Sequence, residues 1–409
     1  MTVETGSLRR LLLSMGSVTG VTLVTLGSYM LAMMILGRTL PKSGFGFLAL
    51  WVYGFNILGA ASLTGFNNAV LRNYPRRRLA ESDWRRLMRR LAVLGLGVCT
   101  AGAVVFAAVY DASPWSALCL GVAAYVAGLS LFPVTLLQIF GRFAVAQGIL
   151  TLWWPVLLVG AVALWAVGGT SVRFLVAAAA LGALLQFLLA LLALRHVPSG
   201  TARMPMGRLA PDAFAFAGLF LAAMLLLRLD AFFLPKLLGL DALALYTAIG
   251  FLPMTGYGIV SVALGQVLNP KLANREKVPL GALTVFLLAG GGLVGAILAL
   301  AANHLVPLAF GGAYTGDHRL VTALLAVAGI LQVAYAIPSG RVGILASRTI
   351  LRAFLILSLT SIAVDAALLF WAVPRWGLPG AAAATAGTWA WRTGTAWWVA
   401  SRTTRAPGD

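Results

Sequence analysis

The stretch Leu280-Gly-Ala-Leu-Thr-Val-Phe-Leu-Leu-Ala-Gly-Gly-Gly-Leu-Val-Gly-Ala-Ile-Leu-Ala-Leu-Ala-Ala-Asn-His-Leu-Val-Pro-Leu308 carries no Asp, Glu, Lys or Arg. Two readings compete for it. Gly290-Gly-Gly-Leu-Val-Gly295 satisfies the G-x-G-x-x-G string of dinucleotide-binding folds, which requires a strand before it and a helix after it. No strand precedes it here, and an unbroken apolar run of about 20 residues or more is a membrane span. Gly291 and Gly295 then make a small-xxx-small pair at which a second helix can approach closely. Gly380 and Gly387, with an alanine run between them, have the same meaning in the last apolar run.

Working outward, the whole chain follows the same pattern. Of its 409 residues 61% are hydrophobic and 10% charged, and the mean hydropathy is +0.94. Soluble domains have about 45–50% apolar and about 25% charged residues, so a soluble enzyme, a disordered chain and a secreted disulfide scaffold are excluded. Apolar runs between polar breaks predict twelve spans, at 11–36, 45–70, 91–110, 115–140, 143–167, 172–194, 212–238, 241–268, 280–308, 320–338, 351–373 and 378–400. The connections are short, and the longest polar stretch, Arg72–Arg90, is too small to fold alone. The first run is too long for a cleaved signal peptide and has no small-residue cleavage site. Cys99 and Cys119 fall in apolar runs and read as small buried hydrophobes, with no His or carboxylate near enough in sequence to build a metal site.

The net charge of +19 would suggest nucleic acid in a soluble protein. Here the cations alternate between the two sides of the spans. With both termini in the cytoplasm, 23 of the thirty Lys and Arg fall on inner segments, Arg392 among them. Six are outside (Arg38, Lys42, Arg173, Lys236, Arg319 and Arg375), and Arg228 lies within a span. This is a positive-inside distribution, so no nucleic-acid partner is expected. The Arg76–Arg78 and Arg85–Arg90 clusters read as topology and attraction to anionic headgroups, about 1 kcal/mol per residue, or as capture of a phosphate-bearing lipid.

Charge inside the bilayer is the sharpest signal. Arg228 and Asp230 fall mid-way along span 7 and Asp365 mid-way along span 11. Each costs about 2.5–3.5 kcal/mol to insert, so each must face protein or a wet cavity. On a continuous helix, residues two apart point about 200° from each other, which denies Arg228 and Asp230 a good local pair. Each then needs a partner on another helix, or a ligand, and both readings stand: buried salt bridges, or the lining of a translocation cavity. Asn56, Asn67 and Asn68 on span 2, and Tyr257 and Gln266 on span 8, are further candidates for that surface. Pro133, Pro155 and Pro253 lie in span interiors, where lipid offers no substitute for the lost hydrogen bond. No P-loop, H-E-x-x-H or G-x-S-x-G occurs, and His196, His304 and His318 are far apart. The chain is therefore expected not to be an enzyme and to hold no metal.

The two halves look duplicated. Leu36-Gly-Arg-Thr-Leu-Pro-Lys-Ser-Gly-Phe-Gly-Phe follows the first span, and Leu234-Pro-Lys-Leu-Leu-Gly-Leu-Asp-Ala-Leu-Ala-Leu-Tyr246 follows the seventh. Parallel repeats of six spans are expected at 1–200 and 201–409, joined by the Arg195–Pro211 linker. The first of these stretches resembles the opening helix pair of the polysaccharide or oligosaccharide flippases (Wzx-like) of the multidrug/oligosaccharidyl-lipid/polysaccharide exporter superfamily. Thr64-Gly-Phe-Asn-Asn-Ala-Val-Leu-Arg72 is similar to that family's helix-2 ending, and Asn269-Pro-Lys-Leu-Ala273 to its helix-8 ending. Arg228-Leu-Asp230, with Tyr246 beyond it, resembles the start of the family's second half. Val373-Pro-Arg-Trp-Gly-Leu-Pro-Gly-Ala-Ala-Ala-Ala-Thr385 resembles the segment before its last helix, with Trp376 in place of Tyr. Where many members have Asn nine residues before that proline, this chain has Asp365.

The resemblance implies an all-α polytopic membrane protein of 12 transmembrane helices, in two six-helix bundles around a central cavity. It implies a bacterial inner-membrane flippase with both termini cytoplasmic. Its cargo would be a polyprenyl-diphosphate-linked oligosaccharide moved by alternating access for surface polysaccharide synthesis. The expected partners are membrane lipid, the lipid-linked oligosaccharide, and glycosyltransferases or a polymerase of the same pathway. Substrate binding falls to Arg228, Asp230, Asp365, Asn56, Asn67, Asn68, Arg72 and Tyr257. No cofactor is expected beyond coupling to H+ or Na+. The alternative is a cation-coupled multidrug or small-molecule antiporter of the same superfamily, which tends to place its key acid in the N-terminal half.

Overall fold

A computed structural model describes the backbone of residues 2–73, 81–140, 142–195, 206–273, 280–345 and 348–403. Among them there is no strand. In lipid every backbone N–H and C=O must be satisfied within the segment, and the helix does this locally. The helices are α1 (Thr2–Thr39), α2 (Lys42–Asn73), α3 (Glu81–Tyr110), α4 (Pro114–Ile139), α5 (Phe143–Leu150), α6 (Trp153–Ala166) and α7 (Val172–Leu194). They continue as α8 (Met206–Leu226), α9 (Leu229–Leu237), α10 (Leu240–Ala273), α11 (Leu280–Phe310), α12 (Arg319–Leu345) and α13 (Arg348–Thr403). Together they supply the twelve spans, and the protein is an all-α, multi-pass membrane protein. Nine helices among the described residues are long and apolar enough to cross a membrane, and ten if the bent pair α8–α9 counts as one.

Three spans differ from simple rods. Span 5 is divided into α5 and α6 at Thr151, whose hydroxyl returns to the Gln147 carbonyl at 2.8 Å. Pro155 therefore sits in the first turn of α6, where its missing N–H costs nothing. Span 7 is bent by 45° between α8 and α9. Spans 11 and 12 run together as α13 across Gly377, whose φ of 60° and ψ of −134° are non-helical. That left-handed φ is open to glycine and strained for other residues. Three residues on, a side chain at Gly380 would strike the Ala372 carbonyl.

One compact unit comprises Met1–Gly44 and Trp51–Met224. Its core joins Ala69 and Val70 of α2, Leu87 and Leu91 of α3, Leu129, Phe132 and Leu136 of α4, and Ala213 of α8. The amphipathic start of α3 explains the arginine cluster there. Leu87 and Leu91 face this core, while Arg85, Arg86, Arg89 and Arg90 are exposed. Cys99 and Cys119 are buried free thiols. The buried polar residues described in this unit, Thr25, Ser116, Ser130, Thr135, Thr151 and Gln186, are all uncharged. Gln186 donates to the Ser130 hydroxyl at 2.6 Å.

The other unit comprises Phe45–Leu50 and Leu225–Asp409. Phe45 packs against Phe310 at 5.8 Å between ring centroids. Tyr257 of α10 is wedged beside α11 and α12, where side chains at Gly295 and Gly329 would collide with it. The small-xxx-small pair of α11 thus admits a tyrosine as well as a helix. Near the end of α11, Asn303 reaches the turn before α12, donating to Asp317 at 3.2 Å and accepting from the His318 N–H at 2.8 Å. Asn303, with the Arg319 N–H, holds the Asp317 carboxyl below the usual carboxylate range.

Candidate functional site in the second unit

The break in span 7 places the charges that the sequence singles out. Arg228 is the residue between the two helices, with φ −145° and ψ 15°. Its N–H bonds the Leu225 carbonyl at 3.0 Å, and the Ala231 N–H reaches the Arg228 carbonyl at 3.1 Å. Asp230 stands in the first turn of α9, where the helix dipole favours a negative charge. Its Oδ1 accepts from the Ala231 N–H at 2.7 Å. No proline or glycine makes this break. The expectation of Arg228 and Asp230 on opposite faces of one continuous helix is therefore corrected: α9 begins between them, and the half-buried Arg228 attracts the Asp230 carboxylate.

Asp230 is 7% exposed and Asp365 1%. Taking an ion out of water costs several kcal/mol unless its lone pairs are met. At Asp230 Oδ2 they are met by the Tyr246 hydroxyl at 2.7 Å and the Thr385 hydroxyl at 3.2 Å. Thr385 also lies 3.1 Å from the Ala381 carbonyl, so its one proton serves two acceptors. Asp365, on the first half of α13, accepts from Thr388 on the second half at 2.8 Å. The two carboxylates are near enough to repel each other. Elements α9, α10 and both halves of α13 thus converge on an oxygen-only cluster of two acids, two threonines and a tyrosine.

The same face of α13 carries a second polar group, Arg392, which is not among the sequence candidates for the site. Thr385, Thr388, Trp389 and Arg392 recur at i, i+3, i+4 and i+7, one face of a helix, so Arg392 lies about 10 Å along the axis from Thr385. The Arg392 side chain is 3% exposed. Its guanidinium lies 4.2 Å from the Tyr335 ring centroid and 4.9 Å from that of Trp389. Nη2 donates to the Tyr335 hydroxyl at 3.0 Å. Nε and Nη1 are buried without a hydrogen-bond partner, as is Trp389 Nε1. Each such orphan costs about 1–3 kcal/mol, more on a charged group.

Asn56 is exposed on α2. The side chains of Asn67, Asn68, Arg72 and Gln266 lie outside the described residues, as do Arg76–Arg78. Tyr257 is buried and donates to the Gly291 carbonyl at 2.7 Å. Among the described residues no three His, Cys, Asp or Glu side chains form a metal site.

No family model matches the chain, and no curated protein matches it by sequence. Solved structures do. The lipid II flippase MurJ in an inward closed conformation superposes with a TM-score of 0.72 at 12% identity, over 93% of this chain and 86% of that one. An outward-facing multidrug-resistance MATE transporter gives 0.68 at 16%, over 96% and 95%. A MOP-superfamily transporter from Pyrococcus furiosus gives 0.68 at 14%, over 96% of both chains. The chain has the fold these MOP-superfamily transporters share.

Proposed function

We propose that the protein is a flippase for a polyprenyl-diphosphate-linked oligosaccharide in a bacterial inner membrane, with both termini cytoplasmic. The observation that carries this is Arg228, a half-buried cation at the break of a membrane span. A diphosphate headgroup entering a low-dielectric site needs such a cation, and the pairing is stronger there than in water. The likeness to a lipid II flippase supports the same reading. Two six-span halves, 1–200 and 201–409, would rock to expose the site alternately. Asp230 and Asp365, with Thr385, Thr388 and Tyr246, would take H+ or Na+ on the return step, since hard cations prefer oxygen donors. Asn56, Asn67, Asn68, Arg72 and Tyr257 remain proposed contacts, and glycosyltransferases or a polymerase remain proposed partners.

The second reading, a cation-coupled multidrug antiporter, draws on the MATE likeness and on the same acid cluster. The buried polar residues described in the first unit include no acid, which favours the flippase. Fold alone does not choose between them: for the Pyrococcus furiosus transporter, reversed polarity of the binding pocket is described as suggesting a different function. A deletion strain assayed for undecaprenyl-linked intermediates and drug susceptibility separates the two. Lipid-linked intermediates should accumulate, and Arg228→Ala should reach the membrane without restoring polymer. Wild-type polymer in that variant would remove Arg228 from the site, and drug sensitivity with normal polymer would select the antiporter.

A further inference from the structure

Among the described residues Arg392 is the buried side chain with the most unpaired polar atoms, and the flippase reading gives it no task. A guanidinium grips an oxoanion through one of two edges, Nε with Nη2 or Nη1 with Nη2. Nη2 is common to both edges, and it is the one nitrogen occupied here, by the Tyr335 hydroxyl. The nitrogens completing each edge, Nε and Nη1, are unpaired, and so is the indole N–H of Trp389, whose ring lies beneath the guanidinium. Arg392 has no carboxylate partner among the described residues. Tyr335 itself is stacked on Phe354 at 6.2 Å and 11°, and it meets Trp389 edge-on at 5.7 Å.

We infer that Arg392, with the Trp389 N–H, is a receptor for a phosphate-type oxoanion, and that Tyr335 closes it by holding the place of one anion oxygen. Nη2 carries two N–H groups, one on each edge, so the single bond to the Tyr335 hydroxyl blocks one edge, and displacing that hydroxyl opens the edge to an anion. The bound anion then satisfies Nε or Nη1, regains Nη2, and supplies a counter-charge. The inference rests on the flippase reading only for the source of the anion, a lipid diphosphate. The cluster packs against Leu227, beside the break in span 7, so the site adjoins the segment that carries Arg228. Buried unpaired donors are costly, and a methionine of similar reach would remove that cost. Their presence therefore points to a ligand.

The test uses the full chain purified in detergent, with inorganic pyrophosphate and farnesyl diphosphate as probes and farnesol as the uncharged control. Binding is followed by the shift in melting temperature and by tryptophan fluorescence. Wild type should bind farnesyl diphosphate and not farnesol. Arg392→Met should lose at least tenfold in affinity while melting no lower than wild type without ligand. Arg392→Lys, which keeps charge but loses the fork, should fall between them. Trp389→Phe should weaken binding severalfold with the ring retained. Equal affinity for pyrophosphate and farnesyl diphosphate would support the site and assign it to a free anion. Absence of binding to wild type by both probes, or equal binding by wild type and Arg392→Met, would overturn it. Normal polymer in a strain carrying Arg392→Met, together with lost binding in vitro, would instead count against the flippase reading.

Discussion

Two ends of one helix face in the second unit are built on opposite terms. At Thr385 and Thr388 the acids Asp230 and Asp365 are met by hydroxyls and a backbone N–H at 2.7–3.2 Å. Two turns on, Arg392 keeps two guanidinium nitrogens unpaired beside an unpaired indole N–H. A satisfied polar cluster holds its helices in one arrangement, and a partly satisfied one costs stability. The difference teaches that burial of charge has two meanings within one seam. The acid end supports the fold in this state, whereas the arginine end awaits a partner.

The comparison can be broken most forcibly at Asp230. Asp230→Leu takes the carboxylate acceptor from the Tyr246 hydroxyl, leaves Thr385 only the Ala381 carbonyl, and should cost about 3 kcal/mol in reversible unfolding in detergent. Asp230→Asn keeps the shape and should cost less. A loss under about 1 kcal/mol for the leucine variant would show that the acid end does not hold the helices together. Gly377→Ala comes next. Its φ of 60° should make alanine cost about 1–2 kcal/mol, loosening the hairpin that brings Thr388 to Asp365. An unchanged melting temperature would mean that the kink is not held in the left-handed region.

Smaller effects sharpen the contrast away from the seam. Tyr257→Phe loses only the bond to Gly291 and should cost about 1 kcal/mol with transport retained. Lost transport at unchanged stability would instead make Tyr257 a cargo contact. The smallest effect is at Asp317. Its folded carboxyl is held below the ordinary range, so its contribution is present above the unfolded value and fades as pH falls through the folded one. Melting temperature should therefore decline slightly more between about pH 5 and about pH 3 in wild type than in Asp317→Asn. Equal slopes would remove the Asn303–Asp317 contact as a source of stability.

Much of this was legible in the sequence because lipid imposes one rule on backbone and side chain together. The uncharged run from Leu280 to Leu308 had to be a span, and the other eleven followed by the same reasoning. Arg228, Asp230 and Asp365 stood out because charge in apolar runs is rare. Two features were hidden. The break between α8 and α9 falls at Leu227-Arg228, which carries neither Gly nor Pro, and it shows only when Asp230 is seen bonding the Ala231 N–H. Arg392 was absorbed into a count of inner-side cations because such counts extend over span ends. Yet it lies eight residues before the predicted end of span 12, about 12 Å along the helix. Its i, i+3, i+4, i+7 spacing with Thr385, Thr388 and Trp389 was the available signal.

The central claim is that the arginine end is kept against stability and the acid end for it. The direct measurement compares unfolding of Asp230→Leu and Arg392→Met with wild type in the same detergent without ligand. Asp230→Leu should melt well below wild type, and Arg392→Met at or above it. If Arg392→Met falls as far as Asp230→Leu, the guanidinium is a structural support and the claim is wrong.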